Sequence, residues 1–292
     1  MKQKLLLASI LALIVAALIT LLNYHMATSV LVRMSICGAV AAAWMSFMFV
    51  MAQYKRRTDI IDVAWGISFI LITLVGFILQ DGKRELFGIQ TVTTLLVVMW
   101  GFRLSWHIGR RFLYSRSQDP RYTQLESKWK THRSLRRFFS IFMTQALLAV
   151  VVAIPVIHIN LGTDIVWSAW TVAGICVWLI GFIWESIADY QLSVWLKKQA
   201  DKNRLMMTGL RHYSRHPSYF GEMGVWWGFA IIALGTPHGW VGLIGALTIT
   251  YLLRYVSGVP LAEASARRKK EWDAYADRTN LLIPSLPRIH HR

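Results

Sequence analysis

The chain has 292 residues and a formal charge of +17, yet 55% of its residues are hydrophobic and only 16% are charged. A basic nucleic-acid binder would be far more polar, so no nucleic-acid partner is expected. A disordered basic tail would lack the 14 Trp, 13 Phe and 10 Tyr. An apolar chain whose few charges are mostly basic reads instead as a polytopic membrane protein, an all-α helix bundle with its cations in loops on one side. Cys37 and Cys176 lie in separate apolar runs, which excludes a disulfide scaffold and a Cys-based zinc site; no metal is expected.

A spanning helix needs about 20 apolar residues, because in hydrocarbon each backbone amide must be bonded within its own helix. Eight stretches qualify: 5–22, 34–53, 60–79, 86–106, 138–157, 165–187, 219–235 and 239–257. The first follows Lys2 and Lys4, as a signal peptide would, but the run of 18 residues exceeds the roughly 7–15 of a signal core. The last two are separated only by Gly235-Thr-Pro-His-Gly239 and predict a tight helical hairpin. With these spans, 28 of the 32 Lys and Arg fall on one side. Arg33, Lys83 and Arg84 lie on the other, and Arg254 is near the inner end of the last span. The positive-inside rule then puts both termini in the cytoplasm.

Four stretches carry candidate chemistry. Asp59 and Asp62 enter the third span at i and i+3, on one helix face. An acid below the headgroups is costly and marks function, which favours Asp62. Asp59 also fits a simpler role, capping the helix and pairing with Arg56 or Arg57. Arg103, His107, Arg110 and Arg111 cluster where the fourth span ends. Guanidinium forks suit phosphate, although Arg110 and Arg111 serve equally well as inner-surface cations facing anionic lipid.

Glu185 and Asp189 share a face at i, i+4, where two carboxylates repel unless a ligand or Lys197 or Lys198 lies beside them. Finally, Ser214-Arg215-His216-Pro217-Ser218-Tyr219-Phe220-Gly221-Glu222 sets a proline in a helix's first turn and a basic run at its entry. Free amides and the helix dipole favour an anion there. Glu222 follows inside the membrane helix, where a free carboxylate is expensive.

This last run resembles the C-terminal signature of the steroid 5-alpha-reductase superfamily, in its bacterial branch. Asp62-Val-Ala-Trp-Gly66, Arg103-Leu-Ser-Trp-His107, Asp119-Pro-Arg-Tyr122, Glu185-Ser-Ile-Ala-Asp-Tyr-Gln191 and Ile283-Pro284 follow the family's order, so the likeness covers about residues 55–288. It implies a seven-helix membrane core with a cytosol-facing NADPH site, to which this chain adds one N-terminal transmembrane helix. Residues 1–53 would be N-terminal transmembrane helices and 54–292 a single reductase-like domain in a bacterial inner membrane. The implied reaction is reduction of the carbon–carbon double bond of an apolar enone lipid such as a 3-oxo-4-ene steroid.

By that resemblance Asp62 polarises the substrate carbonyl with Trp65 beside the substrate, and Asp62 and Glu222 are the catalytic acids. Asp189, Arg215, Ser218, Tyr219 and Glu222 surround the cofactor. Arg121 and Tyr122 close a cytoplasmic lid. The wider cofactor set adds Arg103, His107, Glu185, Arg204, Tyr213, His216 and Arg278. The eukaryotic enzymes carry Asn where this chain has Ser218, and a His/Tyr-rich stretch where it has residues 263–275. Both differences bear on substrate and adenosine recognition. Arg215-His-Pro-Ser-Tyr219-Phe-Gly221 is also similar to the helix entry of isoprenylcysteine-type methyltransferases, which use S-adenosylmethionine. A non-enzymatic lipid-binding protein is the third reading.

Overall fold

In a computed structural model, the structure describes residues 30–80, 85–115, 117–163, 165–199, 201 and 204–287, and the first expected span lies outside them. All regular structure among these residues is helical. The chain packs as two compact units, Met1–Trp167 and Ser168–Arg292.

The first unit is built from α1 (Val30–Lys55), α2 (Ile60–Ile78) and α3 (Ile89–Tyr114), followed by the short α4 (Pro120–Ser127), α5 (Arg133–Val152) and α6 (Ile154–Leu161). Asp119 caps α4 by accepting the Arg121 N–H, and Pro120 occupies the first turn, where no amide bond is lost. Within α5 the residues Phe138–Met143 are wound as a π-helix. Pro155 in the first turn of α6 marks a fresh helix start after Ala153.

In this unit α2 and α3 approach closely at Gly66 and Gly101. A Cβ on Gly66 would sit 2.5 Å from the Gly101 carbonyl oxygen. Phe69 and Trp100 pack edge to face beside that crossing, with ring centroids 5.5 Å apart. Further along, the Asn160 side-chain amide donates to the Thr73 carbonyl at 3.0 Å and to the Thr94 hydroxyl at 3.1 Å, tying α6 to α2 and α3 in the core.

The second unit pairs the long α7 (Ala169–Lys198) with α8 (Pro217–Leu234). A capping box starts α7, with the Ser168 hydroxyl accepting the Thr171 N–H. The two helices touch along glycines: a Cβ on Gly181 would meet the Gly221 carbonyl oxygen at 2.7 Å, and one on Gly228 would meet the Gly174 carbonyl oxygen at 2.7 Å. Small residues let backbones come this near, the usual means of helix association where the solvent itself is apolar. A third helix, α9 (Gly239–Ala266), packs on α8 and contains a π-wound segment at Leu252–Val256. A final short helix, α10 (Trp272–Arg278), follows.

Five of these helices are long and apolar enough to cross a membrane: Val30–Lys55, Ile60–Ile78, Arg133–Val152, Ala169–Lys198 and Gly239–Ala266. The stretches expected at 86–106 and 219–235 are also helical, from Ile89 and up to Leu234, as α3 and α8, but are not among these five. Lipid-sized apolar side chains stand exposed on the candidate spans, among them Leu179, Ile180, Ile183 and Ile187 of α7, as an integral membrane protein requires.

Candidate functional site

Asp62 is the centre of the first unit's polar cluster. It sits in the first turn of α2, and residues of the capped α4 reach it across about sixty positions of sequence. The Tyr122 hydroxyl donates to Asp62 Oδ1 at 2.5 Å, and Arg121 Nη2 donates to Asp62 Oδ2 at 3.0 Å. The same guanidinium is held from behind by Asp119, at 3.0 Å from Nε and 3.1 Å from Nη2. Arg121 is thus spent on two carboxylates.

Burial and charge together set the proton affinities of this group. Burial, and then the Asp62 carboxylate, push the Tyr122 phenol well above its usual range. Burial alone would raise the Asp119 carboxyl, but its hydrogen bonds from Arg121 outweigh it and hold it low. Burial likewise opposes the Arg121 charge, and the two carboxylates more than offset it.

A second layer fixes this arrangement. Arg57 forks onto Asp59, with bonds of 3.1 and 2.7 Å. Its remaining nitrogen donates to the Phe112 and Ser115 carbonyls at the end of α3, at 3.0 and 2.6 Å. Asp59 in turn accepts the Asp119 N–H at 3.1 Å. Of the two roles open to Asp59, pairing with Arg57 is the one seen; its side chain makes no cap bond to α2. A cleft of about 170 Å³ opens beside these groups, lined by Arg57, Asp59, Asp62, Arg111, Gln118 and Asp119, among others.

Arg103 and His107 lie one turn apart on α3, both half-buried. Trp65 is half-buried and packs edge to face on Phe69 at 5.0 Å.

The second unit holds the other expected residues. Ser218 donates to Asp189 Oδ1 at 2.7 Å, joining α8 to α7. Glu185 is 2% exposed, and its backbone lies against Gly221, where a Cβ would come within 2.6 Å of it. Pro217 opens α8, as the sequence predicts. Tyr219 stacks on His216, with centroids 5.5 Å apart and planes 16° from parallel. Glu222 is half-buried one turn further on.

Before α8 the backbone is braced by the C-terminal segment. The Arg215 N–H donates to the Asn280 carbonyl at 2.8 Å and the His216 N–H to that of Leu281 at 3.2 Å. The Arg215 guanidinium pairs with Glu263 at 3.1 Å and lies over the Trp272 ring. Its Nε is buried with no hydrogen-bond partner. Arg211 donates to the Arg215 carbonyl at 3.0 Å, and the Tyr275 hydroxyl donates to the Arg211 carbonyl at 2.7 Å. Burial pulls the Arg211 pKa down and the Tyr275 pKa up.

Burial first, and then Arg211, Arg215 and Arg254, depress the His216 pKa to about 3. His216 is therefore neutral near pH 7, and its 3.4 Å contact with Glu263 is a hydrogen bond rather than an ion pair.

Other expected residues stand apart from this cluster. Arg204 is exposed and pairs loosely with Glu271 at 3.6 Å. Arg278 is exposed and reaches the Met207 sulfur at 3.4 Å. Tyr213 is exposed and uses its carbonyl to accept the Ser285 N–H at 3.1 Å. The sequence reading named Arg57 only as a possible partner of Asp59, and missed Arg211, Glu263, Trp272 and Tyr275. Arg211 stands four residues before Arg215, a spacing that offered a signal; the others are joined to the site only by folding.

The chain matches a family model described as a protein of unknown function (DUF1295) over residues 48–279. A Schizosaccharomyces pombe protein described as uncharacterized is 22% identical over 271 residues, covering 82% of this chain and 74% of that one. No solved structure matches it. The family match spans most of the chain and both polar clusters, so the chain belongs to the DUF1295 family, a steroid 5-alpha-reductase-like family.

Proposed function

We propose that this protein is an NADPH-dependent membrane reductase of the carbon–carbon double bond of an enone lipid. The observation that carries the reading is the Tyr122 hydroxyl bonded to the Asp62 carboxylate at 2.5 Å on an apolar helix. Enone reduction places negative charge on the carbonyl oxygen, and a donor held ready in a low-dielectric site stabilises it. In this reading the Tyr122 hydroxyl turns its hydrogen bond from Asp62 to the substrate carbonyl oxygen and keeps its proton, Asp62 stays paired with Arg121, and the α-carbon takes its proton from water. Asp119 and Arg121 keep the pair in place.

The donors of the second unit fit a dinucleotide. Arg215 carries a buried Nε without an acceptor, beside Arg211 and close to the mouth of α8. An anionic oxygen would satisfy that nitrogen. Arg211 and Arg215 would hold phosphate, while Asp189, Ser218 and Tyr219 would orient the rest of the cofactor. Bound NADPH supplies the hydride for the β-carbon. The reading includes the membrane topology expected from the charge distribution: eight spans, cytoplasmic termini, and both clusters at the cytoplasmic side.

The test is thermal stabilisation of the detergent-solubilised protein by NADPH, followed by NADPH oxidation across a panel of enone steroids and other enone lipids. Stabilisation and turnover support the reading. Stabilisation by S-adenosylmethionine instead would move it to a methyltransferase. NADPH binding that no enone oxidises would move it to a lipid-binding protein.

A further inference from the structure

We infer that residues 128–139 form a dedicated docking platform for anionic phospholipid headgroups, independent of the reductase reading. The run Lys128-Trp-Lys130-Thr-His-Arg133-Ser-Leu-Arg136-Arg137 enters and forms the first turns of α5, a helix apolar enough to cross a membrane. Two acids lie in residues 103–137, Asp119 and Glu126. Neither is left for the run's outer cations. Asp119 holds Arg121. Glu126 is forked by Arg137 at 3.0 and 2.9 Å and accepts the Thr58 hydroxyl at 2.5 Å. Lys128, Lys130, Arg133 and Arg136 are all exposed.

The platform is anchored, not loose. Arg137 also donates to the Gln53 side chain at 3.0 Å, and Gln53 donates to the Ser134 hydroxyl at 2.8 Å. Trp129 is 9% exposed, so its ring turns inward while Lys128 and Lys130 on either side face out. Arg133 Nε caps the Trp129 carbonyl at 2.8 Å. Among the cations stand Leu135, 57% exposed, and Phe139, 56% exposed, four residues apart on one helix face.

Exposed apolar groups beside four unneutralised cations, at the end of a spanning helix, match the boundary between phosphate headgroups and acyl chains. The guanidinium groups bind phosphate oxygens, the lysines add charge, and Leu135 and Phe139 meet the first methylenes.

The experiment places the full-length protein in nanodiscs of phosphatidylglycerol or phosphatidylcholine and reads retained lipid by native mass spectrometry, with Tm in parallel. The wild type should retain phosphatidylglycerol and melt higher in it. Each surface cation is worth about fivefold in binding, so K128Q/K130Q/R133Q/R136Q should weaken phosphatidylglycerol retention by up to about 600-fold and lose the Tm difference. The charge-keeping variant K128R/K130R/R133K/R136K should behave as wild type, which guards against a folding defect.

Unchanged retention in the neutralised variant overturns the inference. So does an equal loss in K197Q/K198Q/R268Q/K270Q, which would make the attraction diffuse. Stabilisation by free glycerol phosphate equal to that by the lipid would also overturn it, by assigning the site to a soluble phosphate.

Discussion

The Tyr122 hydroxyl and the Asp62 carboxylate lie 2.5 Å apart, and Arg121 bridges Asp62 to Asp119 on the other side. A half-buried acid in an apolar helix is best tolerated when its oxygens are occupied. Here both are, by residues of a short helix outside the span. The cost of partly desolvating Asp62, whose side chain is 24% exposed, is therefore linked to the docking of α4.

Removing the Tyr122 hydroxyl tests whether that linkage serves chemistry. In the Tyr122→Phe variant the aromatic packing stays and the donor goes. Under the proposed reaction kcat on an accepted enone should fall by about 100-fold or more, with KM little changed, as for loss of a positioned acid. Asp62→Asn should fall similarly. Steady-state kinetics of NADPH oxidation measure both; turnover at the wild-type rate in Tyr122→Phe would remove this residue from the reaction.

Asp119 has two separable roles, capping α4 and aiming Arg121. Asparagine caps as well as aspartate, and alanine does not. Asp119→Ala should therefore cost about 1 kcal/mol of local stability, seen as faster amide exchange over residues 121–127. Asp119→Asn should preserve that protection and lose only the charge beside Arg121. Equal exchange in the two variants would show that the cap contributes nothing.

Much of this arrangement was legible in the sequence, and the limit has a physical cause. Apolar runs of spanning length read directly as helices, because hydrocarbon leaves the backbone no other way to bond. Asp62 stood out as an acid inside such a run, and Pro217 as a helix start. Arg57 was legible only as one of two neighbours that could pair with Asp59, since its other acceptors are the carbonyls of Phe112 and Ser115. Backbone acceptors carry no sequence signature. Glu263 was equally silent: it meets Arg215 and His216 across 48 and 47 positions, a pairing that only the return of the chain after α9 creates. The π-wound segments in α5 and α9 left no periodicity to read either.

The helix glycines divide into those that hold a crossing and those that do not. A Cβ on Gly221 would lie 2.6 Å from the Glu185 backbone nitrogen, and that backbone cannot give. Gly221→Ala should destabilise the second unit by about 1–3 kcal/mol, as overpacking does. Gly38 of α1 has nothing within 4 Å of its would-be Cβ. Gly38→Ala should be neutral, or stabilising by up to about 1 kcal/mol through helix propensity. Thermal unfolding in one detergent compares the two, and equal losses would contradict the close approach of α7 and α8.

His216 gives the protein a pH dependence whose sign is set by burial. It is 6% exposed, and desolvation with three nearby arginines lowers its pKa from 6.5 to about 3 in the folded chain. Between those values the unfolded chain binds a proton that the folded chain refuses, so stability rises with pH. The contribution is complete above about pH 6.5 and is lost as the pH falls toward 3. The slope is at most about 1.4 kcal/mol per pH unit. Asp119, held low by Arg121, loses its own contribution only in the carboxylate range, below the window where His216 acts first. His216→Gln carries no titrating group. Its Tm should therefore fall less steeply than that of the wild type between pH 6.5 and about 4.5. Parallel Tm curves for the two proteins would mean that His216 accepts a proton in the fold and that the arginines around it do not govern its charge.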